Sequence, residues 1–170
     1  MAAKSSTRRK AASPAWVVLK FGGTSVSSVE RWETIATLLR QRLAEGLRPV
    51  VVHSALATVS NKLDELLHRA LEMDVTAQVA GIRELHLRLA AGLQVDGEKE
   101  LGGYFRELEQ LLAGIHLIRE VSPRIQARVM GLGELMATRL GAAYLARVGL
   151  KVRWLDAREL LRSNMPPGTN

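Results

Sequence analysis

Two short valine-rich runs constrain this chain more than any other feature. Val17-Val18-Leu19 is followed by Lys20-Phe21-Gly22-Gly23, and Val50-Val51-Val52 is introduced by Pro49. Continuous apolar runs of this length suit strands buried on both faces of a parallel sheet, and that is the expectation for both. Between them Val29, Trp32, Ala36, Leu39 and Leu43 recur at three- and four-residue steps, one stripe of an amphipathic helix, and Gly46 offers it a stop. Strand, helix and strand at this spacing form a right-handed βαβ unit. The loop after each strand then emerges at the carboxyl edge of the sheet, where ligands of open α/β folds bind.

The middle of the chain reads as helical. Ser60 is placed to cap a helix bearing Leu63, Leu66, Leu67 and Leu71, and leucine-rich stretches near 76–93 and 98–114 carry helical periodicity. Ser122-Pro123 pairs a cap with a proline at the first helical position, opening a helix with Ile125 and Val129. Gly131 and Gly133 are expected to interrupt or loosen it before Glu134-Leu135-Met136-Ala137-Thr138 resumes the pattern. Val152, Trp154 and Leu155 read as a third strand. Asp156 follows as a helix cap before Leu160-Leu161, and the terminal NMPPGTN is loop-like.

A length of 170 residues is enough to bury a substantial core. The net charge of +7 is concentrated: Lys4, Arg8, Arg9 and Lys10, with no acidic neighbour, account for four of it. Residues 1–15 are therefore expected to form a disordered basic leader, an organelle transit peptide being the rival reading. What remains is mildly basic and holds no basic face interleaved with aromatics, so nucleic-acid binding is not expected. No apolar stretch is long enough to span a bilayer, so no membrane role is expected. The absence of cysteine excludes disulfides and thiolate metal sites and is compatible with the cytoplasm. His53 reads as a packing or surface histidine and not a general base, and the four histidines have no metal-ligand spacing.

The chemistry concentrates after the first strand. A Gly-Gly turn at a strand's carboxyl end frees backbone N–H groups, a helix start adds partial positive charge, and Thr24 and Ser25 add hydroxyl donors, an arrangement that suits phosphate. Lys20, just before the glycines, would set a mobile ammonium against phosphoryl oxygens. The spacing is neither a Walker loop nor a GxGxxG fingerprint. A tight turn with a solvent-facing lysine accounts for it equally well on spacing alone.

Lys20-Phe21-Gly22-Gly23-Thr24-Ser25-Val26 resembles the opening signature of the aspartokinases, members of the amino-acid kinase superfamily. Val51-Val52-His53-Ser54-Ala55 with Ser60-Asn61 is similar to the family's second loop, a Ser-Ala pair followed by Thr-Asn. Gly133-Glu134-Leu135-Met136-Ala137-Thr138 resembles its third segment. Acetylglutamate and glutamate kinases share the Lys-Gly-Gly opening but match Thr24-Ser25 and the third segment less well. The arginine- and leucine-rich wording is also similar to the kinase part of bacterial fusions of aspartokinase with diaminopimelate decarboxylase.

The resemblance implies an α/β fold, an amino-acid-kinase-like three-layer sandwich with a mainly parallel sheet, of which residues 16–170 form the N-terminal portion. It implies transfer of the ATP γ-phosphoryl group to the side-chain carboxylate of L-aspartate, in lysine, threonine and methionine biosynthesis. Lys20 would be catalytic. Lys20, Gly22, Gly23, Thr24, Ser25 and Ser54 would bind the nucleotide phosphates, Ser60 and Glu134 the aspartate, and Mg²⁺ would be carried by the phosphates. A homo-oligomer is implied for the full-length protein. Where the family has glycine, this chain has Thr58, which bears on how closely the backbone approaches a ligand. The family's later Gly-Arg-Gly-Gly-Ser-Asp type segment has no counterpart before Asn170, so the chain alone is expected to be inactive. The competing reading is a non-catalytic phosphate-binding or subunit-interaction module.

Overall fold

The structure is a computed structural model and describes residues 14–161. The leader up to Ser13 and the terminal NMPPGTN stretch lie outside the described residues. Strand β1 (Trp16–Phe21) leads through a 3-10 turn (Gly23–Val26) into helix α1 (Val29–Ala44) and then strand β2 (Arg48–His53). Gly46, at φ 78°, turns the chain out of α1 as the sequence suggests. The strands pair in parallel, with Val18 beside Val50 and Lys20 beside Val52.

Both strands alternate instead of being buried on two faces. Leu19, Phe21 and Val51 pack against the core, whereas Val18 is 65% and Val52 48% exposed. The expectation of double burial is therefore corrected. Successive side chains point to opposite faces of a sheet, and among the described residues only one face of this two-stranded sheet is well covered.

Four longer helices form the rest: α2 (Val59–Ala70), α3 (Thr76–Gly92), α4 (Gly97–Ile118) and α5 (Pro123–Arg147), with a short α6 (Ala157–Leu160). Helix α5 touches α2, α3, α4 and β2. Its Leu132, Met136 and Leu140 meet a core that includes Leu63, Ile82, Phe105 and Leu108, all fully buried. The leucine stripes thus cover one another, and the large exposed apolar residues lie elsewhere, notably on the sheet and at Leu117 and Ile118. Helix α4 outruns its expected end. Its tail caps α2: Arg119 Nη1 donates to the Leu71 and Glu72 carbonyls at 2.6 and 2.7 Å.

Three other expectations are corrected. Gly131 and Gly133 do not interrupt α5, which is continuous; packing outweighs the roughly 1 kcal/mol helix cost of a glycine. Ser60 is not a cap: α2 begins at Val59, after Thr58, and Ser60 lies in its first turn. Residues 151–156 are not a strand, because among the described residues no ladder partner reaches them. Side chains hold that segment to α5 instead. Trp154 Nε1 donates to Thr138 Oγ1 at 3.1 Å, and Arg139 stacks on the Trp154 ring. Ser122 and Asp156 cap α5 and α6 as expected. Among the described residues no helix is long and apolar enough to cross a membrane.

Trp32 joins the βαβ unit to helix α5. It is 1% exposed, its Nε1 donates to the Val26 carbonyl at 2.9 Å, and its ring meets His53 and Tyr144 edge-on. A Cβ added at Gly141 would lie 2.1 Å from the Trp32 ring. Gly141→Ala should therefore cost about 1–3 kcal/mol by overpacking, whereas Gly131→Ala, with open space around it, should gain up to about 1 kcal/mol of helix propensity. Urea unfolding of the two variants checks the contrast.

His86 is fully buried; its Nδ1 donates to the Ile82 carbonyl at 2.8 Å and its Nε2 has no partner among the described residues. Burial pushes the pKa of both His86 and His53 below the ordinary 6.5. Above that pH the imidazoles are neutral in both folded and unfolded chains. Below it only the unfolded chain gains the protons, so stability falls as pH drops from 6.5 until the folded values are passed. The slope should reach about 1.4 kcal/mol per pH unit for each histidine. Urea midpoints between pH 7.5 and 5.5 measure it, and His86→Leu should remove one histidine's share.

Candidate functional site

Both strands end at one edge, and their loops lean on each other there. The Ser54 N–H donates to the Phe21 carbonyl at 3.3 Å, extending the pairing one residue past β2. Gly23 then sits against the backbone of the second loop. A Cβ at Gly23 would fall 2.7 Å from the Ala55 carbonyl oxygen and 3.2 Å from the Ala57 nitrogen, so only glycine lets the loops meet this closely.

One side chain stitches the seam. Ser27 Oγ donates to the Gly23 carbonyl at 2.6 Å and accepts from the Ala57 N–H at 2.8 Å. Sequence reasoning missed it. The available signal was a third hydroxyl in the run Thr24-Ser25-Val26-Ser27, and nothing local distinguishes it from a surface serine.

The first loop keeps donors in reserve. Ser25 N–H closes a turn onto the Gly22 carbonyl at 3.0 Å, whereas the N–H groups of Gly23 and Thr24 meet no acceptor among the described residues. The helix start at the glycines is the 3-10 turn itself. Helix α1 begins beyond it, its first turn capped by Ser28, whose Oγ accepts from the Arg31 N–H. The helix start expected at the glycines is therefore corrected: it is a 3-10 turn, and the positive end of α1 lies beyond it, at Val29. Thr24 is exposed and Ser25 half-buried. Lys20 is exposed on the open sheet face, beside Val52, and has no hydrogen bond or ion pair among the described residues.

The second loop connects to α5. The Ala55 N–H lies 3.5 Å from Glu134 Oε1, at the outer limit of a hydrogen bond. The half-buried carboxylate is thus aimed at the loop and retains acceptor capacity. Gly133 permits this approach: a Cβ there would sit 3.0–3.3 Å from Ala55, Leu63 and Val59 side-chain atoms. Ser54 is half-buried at the loop's start and Ser60 half-buried on the first turn of α2. The structure joins Gly23, Ser27, Ala55, Ala57 and Glu134 by contact. Among the described residues no hydrogen bond links Lys20, Thr24 or Ser60 to Glu134.

Thr58, where the resembling family has glycine, adopts φ 70°. A left-handed conformation costs an L-residue with a side chain roughly 1–2 kcal/mol. His53, before the loop, is 8% exposed and packs edge-on against Trp32 at 5.3 Å, the packing alternative of the two the sequence left open. Two surface grooves, one between α2 and α3 beside Lys62 and Arg69 and one beside Arg139 and Trp154, share no residue with these loops.

The parallel βαβ unit, its glycine loop and the acceptor-bearing helix at its carboxyl edge define an α/β domain in which two loops meet at one end of the sheet. The sequence profile of the Amino acid kinase family matches residues 15–168. The chain belongs to that family. It is 40% identical over 151 residues to "Aspartokinase 2, chloroplastic" of Arabidopsis thaliana, an alignment covering 84% of this chain and 27% of that one. It is 31% identical to "Bifunctional aspartokinase/homoserine dehydrogenase 1, chloroplastic" of the same plant, covering 86% and 17%. The fold superposes on E. coli aspartokinase III in complex with aspartate and ADP with a TM-score of 0.74 at 25% identity, covering 88% of this chain and 33% of that one. The chain thus spans about a quarter or less of the length of these curated relatives.

Substituting Thr58→Gly should relieve the left-handed strain. The gain is offset in part by the freer unfolded chain, leaving a net rise of up to about 1 kcal/mol. Thr58→Val should not gain, and paired denaturation curves distinguish the two.

Proposed function

We propose that this chain is the amino-terminal part of an aspartokinase catalytic domain, which moves the γ-phosphoryl group of ATP onto the side-chain carboxylate of L-aspartate. The observation that carries the reading is the interlocked pair of loops, one with free N–H donors beside Lys20 and the other facing Glu134. The relatives' names and the aspartate and ADP bound to the E. coli structure support the choice of substrates.

The chemistry needs no covalent protein intermediate. An aspartate carboxylate oxygen forms a bond to the γ-phosphorus as the bond to the β,γ-bridging oxygen breaks, giving 4-phospho-L-aspartate and ADP. Catalysis is then positioning and charge stabilisation. Lys20 would neutralise phosphoryl oxygens, and Gly22, Gly23, Thr24, Ser25 and Ser54 would cradle the phosphates through N–H and hydroxyl groups. Glu134 would meet the substrate ammonium, with Ser60 beside it. Mg²⁺ would enter on the nucleotide, because the first loop offers ammonium, N–H and hydroxyl donors, which suit phosphate oxygens and not a cation. The product stands at the entry to lysine, threonine and methionine biosynthesis. The protein would work as a homo-oligomer in the cytoplasm without nucleic-acid or membrane partners.

A second reading is a non-catalytic phosphate-binding or subunit-interaction module. The exposed sheet face of Trp16, Val18, Val50 and Val52 favours it, and it forbids aspartate-dependent ADP formation.

In the full-length protein, Lys20→Ala should lower kcat by about 10²–10³-fold with the fold intact, the usual loss for one transition-state donor. Glu134→Gln should act mainly on KM for aspartate, raising it about tenfold or more. Steady-state kinetics with circular dichroism checks both; turnover retained in Lys20→Ala would remove the role given to Lys20.

A further inference from the structure

We propose that Ser27 is a positioning residue that couples the two halves of the site, so that nucleotide bound at the first loop raises the affinity for the acceptor amino acid at the second. The inference rests on the reading of the first loop as the phosphate loop and the second as the acceptor loop.

Ser27 is the only side chain among the described residues that hydrogen-bonds both loops. Its single proton goes to the Gly23 carbonyl, so a lone pair is left for the Ala57 N–H. The Gly23 carbonyl belongs to the same peptide unit as the Thr24 N–H, one of the two donors with no acceptor. A hydrogen bond at one end of an amide polarises the other, and chains of such bonds strengthen one another. An anion at the Thr24 N–H therefore tightens the Ser27 bond to Gly23, which in turn improves Ser27 as acceptor for Ala57.

At Ala57 the chain has something to release. Thr58 follows at φ 70° and α2 starts at Val59, one residue before Ser60. A strained residue persists only where its surroundings over-determine it, and the Ser27 bond is one of the contacts that hold this one. Two residues before Ala57, the Ala55 N–H reaches toward Glu134. Ser27 thus bridges the phosphate donors and the segment that carries Ser60 and meets Glu134 of α5.

The test is isothermal titration of the full-length protein with L-aspartate, in the absence and presence of saturating Mg-ADP, for the wild type, Ser27→Ala and Ser27→Thr. Wild type should bind aspartate about tenfold tighter with ADP present, within the usual range for coupled sites. Ser27→Ala should still bind each ligand alone, yet lose the enhancement to less than about twofold, while Ser27→Thr, which restores the hydroxyl, should keep most of it. A merely structural serine would shift the single-ligand affinities and leave the ratio alone. Enhancement in Ser27→Ala equal to wild type overturns the inference, as does its absence from a folded Ser27→Thr that binds both ligands. Should Ser27→Ala not fold, the threonine variant decides alone. A wild type that binds neither ligand refutes the site reading itself, and one that binds both without enhancement refutes only the coupling.

Discussion

Helix α5 sets the distance at which everything else stands, and it does so through two glycines. At Gly141 the missing Cβ admits the edge of the Trp32 indole, which carries α1 and, through its bond to the Val26 carbonyl, the end of the first loop. At Gly133 it admits Ala55, Val59 and Leu63, which carry the second loop and the start of α2. A larger residue at either place would push one loop outward relative to the other. Dense packing transmits such shifts because interiors have few voids to absorb them. The contact between Gly23 and the Ala55 carbonyl at the strand ends is thus a consequence of packing one layer below.

This layering explains why a chain with so plain a helical middle carries a shaped site. The site donors are mostly backbone groups, and backbone groups are only as well placed as the elements that end beside them. Phe21 and Ser54 continue the parallel ladder one step beyond the strands, Gly23 brings the loops into contact, and Ser27 ties them. Glu134 comes from the same helix that fixes the spacing. Lys20, by contrast, has no hydrogen bond or ion pair among the described residues and is placed by its strand position alone.

The parts legible in the sequence were those with local causes. Val17–Leu19, the α1 stripe and Val50–Val52 announce a βαβ unit, Gly46 marks an exit, and Ser122-Pro123 marks an entrance. Each cause lies within a few residues of its effect. What escaped was decided at a distance. Three consecutive valines cannot show which of them faces outward, and Val152 to Leu155 cannot show that no ladder partner awaits them. Gly131 and Gly133 look alike in the sequence, yet one faces open space and the other a wall of three side chains. For the site, the motif residues were legible as types. Ser27 and the left-handed Thr58 were not, because their roles depend on loops thirty residues apart in the chain meeting backbone to backbone.

Ligands are expected to act at the seam between the two loops. Amide chemical-shift mapping of the isotopically labelled full-length protein, with Mg-ADP added first and L-aspartate second, checks this. The Gly23, Thr24 and Ser25 amides should respond to Mg-ADP, and those of Ala55, Ala57 and the Glu134 region should respond on adding aspartate. Shifts confined to the groove between α2 and α3, or to the surface around Arg139 and Trp154, would contradict it.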